Sequence, residues 1–118
     1  MADAERRVMP RYYFVTRVDV SAPGSGDVYW GAVANISRTG VALYIRQELK
    51  LRTVVTLKFR FQGQGGREVG ETIAAKLVWQ RGDTAGLEFE SPVLANSPAA
   101  QKTPHLVDYL GKKESAKG

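Results

Sequence analysis

The residues best equipped for recognition chemistry are two arginines four positions apart, Arg7 and Arg11, and a polar run, Asn35-Ile36-Ser37-Arg38-Thr39-Gly40. A guanidinium is a rigid fork of N–H donors that matches paired acceptors, such as a phosphate or the O6 and N7 edge of guanine. The other guanine edge offers N1–H and N2–H donors, and the side-chain oxygens of Asn35 and Ser37 can accept from them. The two motifs are therefore complementary to a guanine-containing anion. Each also has an ordinary reading, as solvated charges of a terminal arm and as a strand running into a turn. Taken singly, neither motif chooses between its readings.

The elements that would carry these residues follow from pattern. Pro10 biases Met9 toward extended backbone, so Arg7 and Arg11 lie along an extended arm, their Cα atoms up to about 13–14 Å apart. In a strand, Asn35 and Ser37 project to one exposed face while Ile36 turns to the core. Gly40 is expected to take positive φ in the tight turn that ends that strand.

Strands are expected at Tyr12 to Val20, Val28 to Ser37, Val41 to Arg46, Val54 to Phe61, Thr72 to Gln80 and Ala85 to Glu90, divided by Gly- and Pro-bearing turns. The alternation of Val55, Leu57, Phe59 and Phe61 with Thr56, Lys58 and Arg60 is the plainest of these. Val41, Leu43 and Ile45 share a face, as do Ile73, Ala75, Leu77 and Trp79. Gln62 to Gly70 reads as a glycine-rich loop. Thr103 is an N-cap candidate with Pro104 at the first helical position, and Gly111 is expected to stop a short helix. Short strands at regular spacing argue for an antiparallel barrel or sandwich. The division is an arm over 1–12, a domain over 12–111 and a frayed polar tail over 112–118.

The chain has 118 residues, 43% of them apolar, enough for one core. It lacks cysteine and has a single histidine, His105, so thiolate metal sites, cysteine nucleophiles and histidine-based triads have little support. Gly63-Gln64-Gly65-Gly66-Arg67 lacks the lysine and the strand-to-helix context of a phosphate loop. Glu88 and Glu90 read as solvated strand charges, and an enzyme is not expected. The N-terminus has no apolar core of a secretory signal and no run is long enough to span a membrane, so no membrane insertion and a cytoplasmic location are expected. A formal net charge of +5 favours anionic partners.

Arg-x-x-x-Arg followed by Asn-x-Ser-x-x-Gly, with a strand between them and a closing Gly86-Leu87-Glu88-Phe89, resembles the PilZ domain family of bacterial cyclic di-GMP receptors over about Glu5 to Phe89. The resemblance implies a six-stranded antiparallel β-barrel with a short C-terminal helix. It implies that Arg7 and Arg11 contact guanine and phosphate, that Asn35 and Ser37 bond a guanine edge, and that Gly40 provides the turn. Many family members carry aspartate where this chain has Asn35. The family binds one cyclic di-GMP or an intercalated pair, and Arg6 beside the motif suits the pair. Trp79 is an added candidate for stacking on a base, although its alternation with Ala75 and Leu77 favours core or rim packing. Trp30 reads as structural, and Arg38 and Arg81 as solvated turn charges that could supplement phosphate contacts. The expected function is that of a stand-alone receptor with no cofactor beyond its ligand, passing its signal to an unidentified protein effector as its arm becomes ordered. The alternatives are a PilZ-like adaptor that does not bind nucleotide, or a small basic barrel that binds nucleic acid. The intact motifs argue against the adaptor, and nucleic acid is not expected as a partner.

Overall fold

The computed structural model describes residues 12–13, 16–22, 26–49, 52–62, 64–94 and 97–117. Six strands follow in order: β1 (Arg17–Ser21), β2 (Val28–Ile36), β3 (Gly40–Tyr44), β4 (Val54–Gln62), β5 (Glu68–Arg81) and β6 (Thr84–Phe89). They close into an antiparallel barrel in the order β1-β2-β3-β6-β5-β4. Hairpins make four of the contacts, and two seams between sequence-distant strands, β3 with β6 and β1 with β4, complete the closure. Closure leaves no open sheet edge to template pairing with another chain.

The alternating patterns bury the residues they predict. Val18, Val20, Val55, Leu57, Phe59, Ile73, Ala75, Leu77, Val41, Leu43 and Ile45 all point into the core. Phe61 is only partly buried, at the barrel's end. The glycine-rich connection is shorter than its composition suggests, since β4 runs through Gln62 and β5 already begins at Glu68. The first strand proper is also shorter, although Tyr12 pairs with Ile36 as an isolated bridge.

Two helices follow, α1 (Pro98–Lys102) and α2 (Pro104–Lys117). The short α1 has no apolar repeat to announce it; Ser97 caps it, its Oγ accepting from the Ala100 amide at 3.2 Å, with Pro98 at the first position. In α2, Pro104 has no N–H, and the next two amides are taken by a carboxylate from the barrel. His105 N donates to Glu71 Oε2 at 2.7 Å and Leu106 N to Glu71 Oε1 at 3.0 Å. The negative charge lies at the positive end of the helix dipole. His105 Nδ1 lies 2.6 Å from the same carboxylate, and its ring stacks on Phe61 at 5.6 Å. His105 is thus a packing residue, and Leu106 and Leu110 join the core.

Gly111 does not end the helix, which continues to Lys117. The later turns are held from outside. Arg38, in the β2–β3 turn, donates from Nε and Nη2 to the two carboxylate oxygens of Glu114 at 2.9 and 2.6 Å, and from Nη1 to the Val93 carbonyl at 2.8 Å. Arg38 is therefore an internal clasp rather than a solvated turn charge. Its hydrogen bonds hold the Glu114 carboxyl below the usual range, outweighing the opposing effect of burial. A carboxylate with a lowered folded pKa adds stability above its unfolded pKa and loses it as pH falls through the folded value. The Tm of the wild type should accordingly exceed that of Glu114→Gln at neutral pH, and the gap should close on acidification; thermal melts across the carboxylate range check this.

A second ion cluster lies on β1 and β4. Asp19, nearly buried, accepts from Arg60 Nε and Arg17 Nε, each at 3.2 Å. Burial raises its pKa, but the two arginines outweigh it and leave the carboxyl lowered. Among the described residues no helix is long and apolar enough to cross a membrane, and no group of three or more His, Cys, Asp or Glu could hold a metal.

Candidate ligand-binding site

Two register shifts build the site. In β2 the pairing with β3 slips between Val33 and Asn35, and in β5 the pairing with β6 slips between Leu77 and Trp79. Each inserts one extra residue, Ala34 and Val78, and resets which face the following side chains take. Val33 and Ile36 can then both face inward while Asn35 lies on the outside. Trp79, which strict alternation with Leu77 would bury, emerges instead, 44% exposed. The expected core or rim packing of Trp79 is corrected by that bulge.

One row now crosses four strands, because Asn35 pairs with Ala42, Ala42 with Gly86, and Gly86 with Trp79. These residues line one shallow cavity of about 190 Å³. The indole lies against Gly86 so closely that a Cβ there would stand 2.8 Å from Trp79 Cδ1 and nearer still to two other ring atoms. Gly86 thus seats the ring across β6 with its reach toward Asn35. Gly86→Ala should dislodge the indole at a cost of about 1–3 kcal/mol. In a Trp30→Phe background, red-shifted emission and a lower urea midpoint would register the displacement.

Ser37 behaves differently from the expectation that it shares an exposed face with Asn35. It is 1% exposed. Its Oγ accepts from the Thr39 and Gly40 amides, both at 3.2 Å, and the Ser37 amide donates to the Gly40 carbonyl at 2.9 Å. The serine organises the turn that follows Asn35.

Gly40 is not among the glycines with positive φ. It opens β3, where an added Cβ would stand 2.5 Å from the Leu87 carbonyl oxygen, so it permits close approach of β3 to β6 rather than a turn.

Arg6, Arg7 and Arg11 lie outside the described residues. The described chain begins at Tyr12, whose amide donates to the Ile36 carbonyl at 2.8 Å and whose carbonyl accepts from the Ile36 amide at 2.9 Å. Arg81 is exposed at the end of β5. Trp30, expected to be structural, is 62% exposed, with Arg17 over its ring at 5.3 Å. Sequence reasoning also missed Glu71, the cap of α2. Pro104 without an acidic residue in the first turn was the available sign that a cap must come from elsewhere.

A closed six-stranded antiparallel barrel with a C-terminal helix is the architecture of a PilZ domain. The sequence profile described as PilZ domain matches residues 5–99, and the chain belongs to that family. Among curated proteins none matches the sequence.

Solved structures agree on the fold. The PilZ domain of CeSA from a cellulose-synthesizing bacterium superposes with a TM-score of 0.62 at 16% identity, covering 86% of this chain and 97% of that one. The Bacillus subtilis inhibitor of motility, MotI/DgrA, gives 0.69 at 17% identity, over 95% of this chain and 53% of its own length. MrkH of K. pneumonia, solved as a complex with c-di-GMP, gives 0.54 at 15% identity, over 96% of this chain and 56% of that one. The chain spans about half the length of the last two.

Proposed function

We propose that this chain is a receptor that binds cyclic di-GMP on the outer face of its barrel and acts through a protein partner without catalysing a reaction. The observation that carries this reading is the double backbone hydrogen bond between Tyr12 and Ile36. Tyr12 follows Arg11 directly, and Ile36 lies between Asn35 and Ser37. This pairing sets the residue that follows Arg11 against the strand segment that carries Asn35, which supports a site to which both motifs contribute.

In this reading the Asn35 amide oxygen accepts from a guanine edge and Trp79 offers a stacking surface. Arg7 and Arg11 grip phosphate and the O6/N7 edge, with Arg6 able to serve a second ligand molecule. Ser37 and Gly40 contribute by fixing the hairpin, since the Ser37 hydroxyl is engaged within it. Ligand contacts offset the entropy of fixing the arm, and the ordered arm is the surface a protein effector reads. A bacterial second messenger as ligand sets the work of such a receptor in the cytoplasm.

Isothermal titration calorimetry with cyclic di-GMP, cyclic di-AMP and GTP tests the proposal. Saturable heat with cyclic di-GMP alone is expected, and Arg11→Ala should weaken it about ten-fold or more, the scale of a lost charge-assisted hydrogen bond. No heat with any of the three at high ligand concentration would refute the receptor reading.

A further inference from the structure

Beside the Asn35 row lies a larger cavity, about 560 Å³, that none of the motif residues lines. Trp30 and Tyr44 flank it, 62% and 56% exposed, over a floor that includes Ala32. Arg46 and Asp83, both exposed, stand at its end. Tyr44 pairs with Ala32, and it is the next outward side chain along β3 after Ala42, a step of about 7 Å. The cavity is thus continuous with the proposed ligand face. An exposed Trp and Tyr on one sheet face leave apolar ring surface in water that a bound ring would cover, and Arg17 over the Trp30 ring keeps that indole from lying loose.

The geometry points to a second guanine subsite in this cavity, with the base against Trp30 and Tyr44. The inference rests on the cyclic di-GMP reading and deepens it. Two aromatic walls suit a planar heterocycle. The Asp83 carboxylate accepts from the guanine N1–H and N2–H pair, which adenine lacks, and Arg46 donates to O6 and N7 or to a phosphate. The base comes either from the far half of the ligand seated at Asn35 or from a second ligand molecule.

Calorimetry of the full chain with cyclic di-GMP and cyclic di-AMP separates these cases. Trp30→Ala and Tyr44→Ala should each weaken cyclic di-GMP at least about five-fold, the effect of losing one base stack, with Trp30→Phe retaining most of the affinity. Asp83→Asn should narrow the preference for cyclic di-GMP over cyclic di-AMP, which a merely structural residue would not do. A weaker site at unchanged stoichiometry assigns the base to the same ligand molecule, whereas a fall from two ligands to one assigns it to a second. The chain has two tryptophans, so Trp79→Phe leaves Trp30 as sole reporter, and its emission should change on saturation with cyclic di-GMP. Wild-type affinity and stoichiometry in the Trp30, Tyr44 and Asp83 variants, with Trp30 emission unmoved, would overturn the subsite while leaving the receptor standing. Absence of all binding by the wild type would instead remove the receptor reading, and the subsite with it.

Discussion

Gly40→Val is expected to cost about 3 kcal/mol or more of stability and, with it, the shape of the ligand face. A Cβ at this position would stand 2.5 Å from the Leu87 carbonyl oxygen, a backbone atom that cannot swing aside as a side chain would. The clash falls on the β3–β6 seam, one of the two long-range closures of the barrel. Relieving it means parting the strands that carry Ala42 and Gly86, the middle of the Asn35–Trp79 row. Urea denaturation should show a lower midpoint. A variant as stable as the wild type would show that the seam is looser than its geometry implies.

Glu71→Ala should be comparably severe, about 2–3 kcal/mol, although none of its hydrogen-bond partners is a proposed ligand contact. The carboxylate is 4% exposed and accepts from two amides of the first turn of α2 as well as meeting the His105 ring. Deleting it strands the buried Leu106 amide and removes a negative charge from the helix N-terminus. The expected signature is a lowered Tm together with faster hydrogen exchange in α2 than in β3 or β6. Uniform exchange across barrel and helix would mean that the helix does not depend on this cap.

The fold was largely legible in the chain because its strands announce themselves by alternation. Val55, Leu57 and Phe59 could face nowhere but inward once Thr56, Lys58 and Arg60 faced water. The geometry around the candidate residues was not legible. A bulge adds a residue without any compositional mark, so Ala34 and Val78 hid the outward turn of Trp79.

Serine and glycine are ambiguous for a related reason. Ser37 can bond a ligand or its own turn, and Gly40 can supply positive φ or room for a neighbouring strand; only the three-dimensional surroundings decide. Long-range partners were out of reach altogether. Nothing local in the sequence joins Arg38 to Glu114, or Glu71 to the start of α2, yet these pairs hold the helix at its start and beyond Gly111.

The central claim is that cyclic di-GMP binds on the Asn35 row, beside the Tyr12–Ile36 pairing. Its most direct test is titration of ¹⁵N-labelled protein with cyclic di-GMP, followed by amide and indole shifts. The largest changes are expected at Asn35, Ala42, Gly86, the Trp79 indole and the arm through Tyr12, with the Glu71 cap of α2 unmoved. Spectra that stay unchanged at saturating ligand, or shifts that leave Asn35, Ala42, Gly86 and the Trp79 indole unmoved, would contradict it.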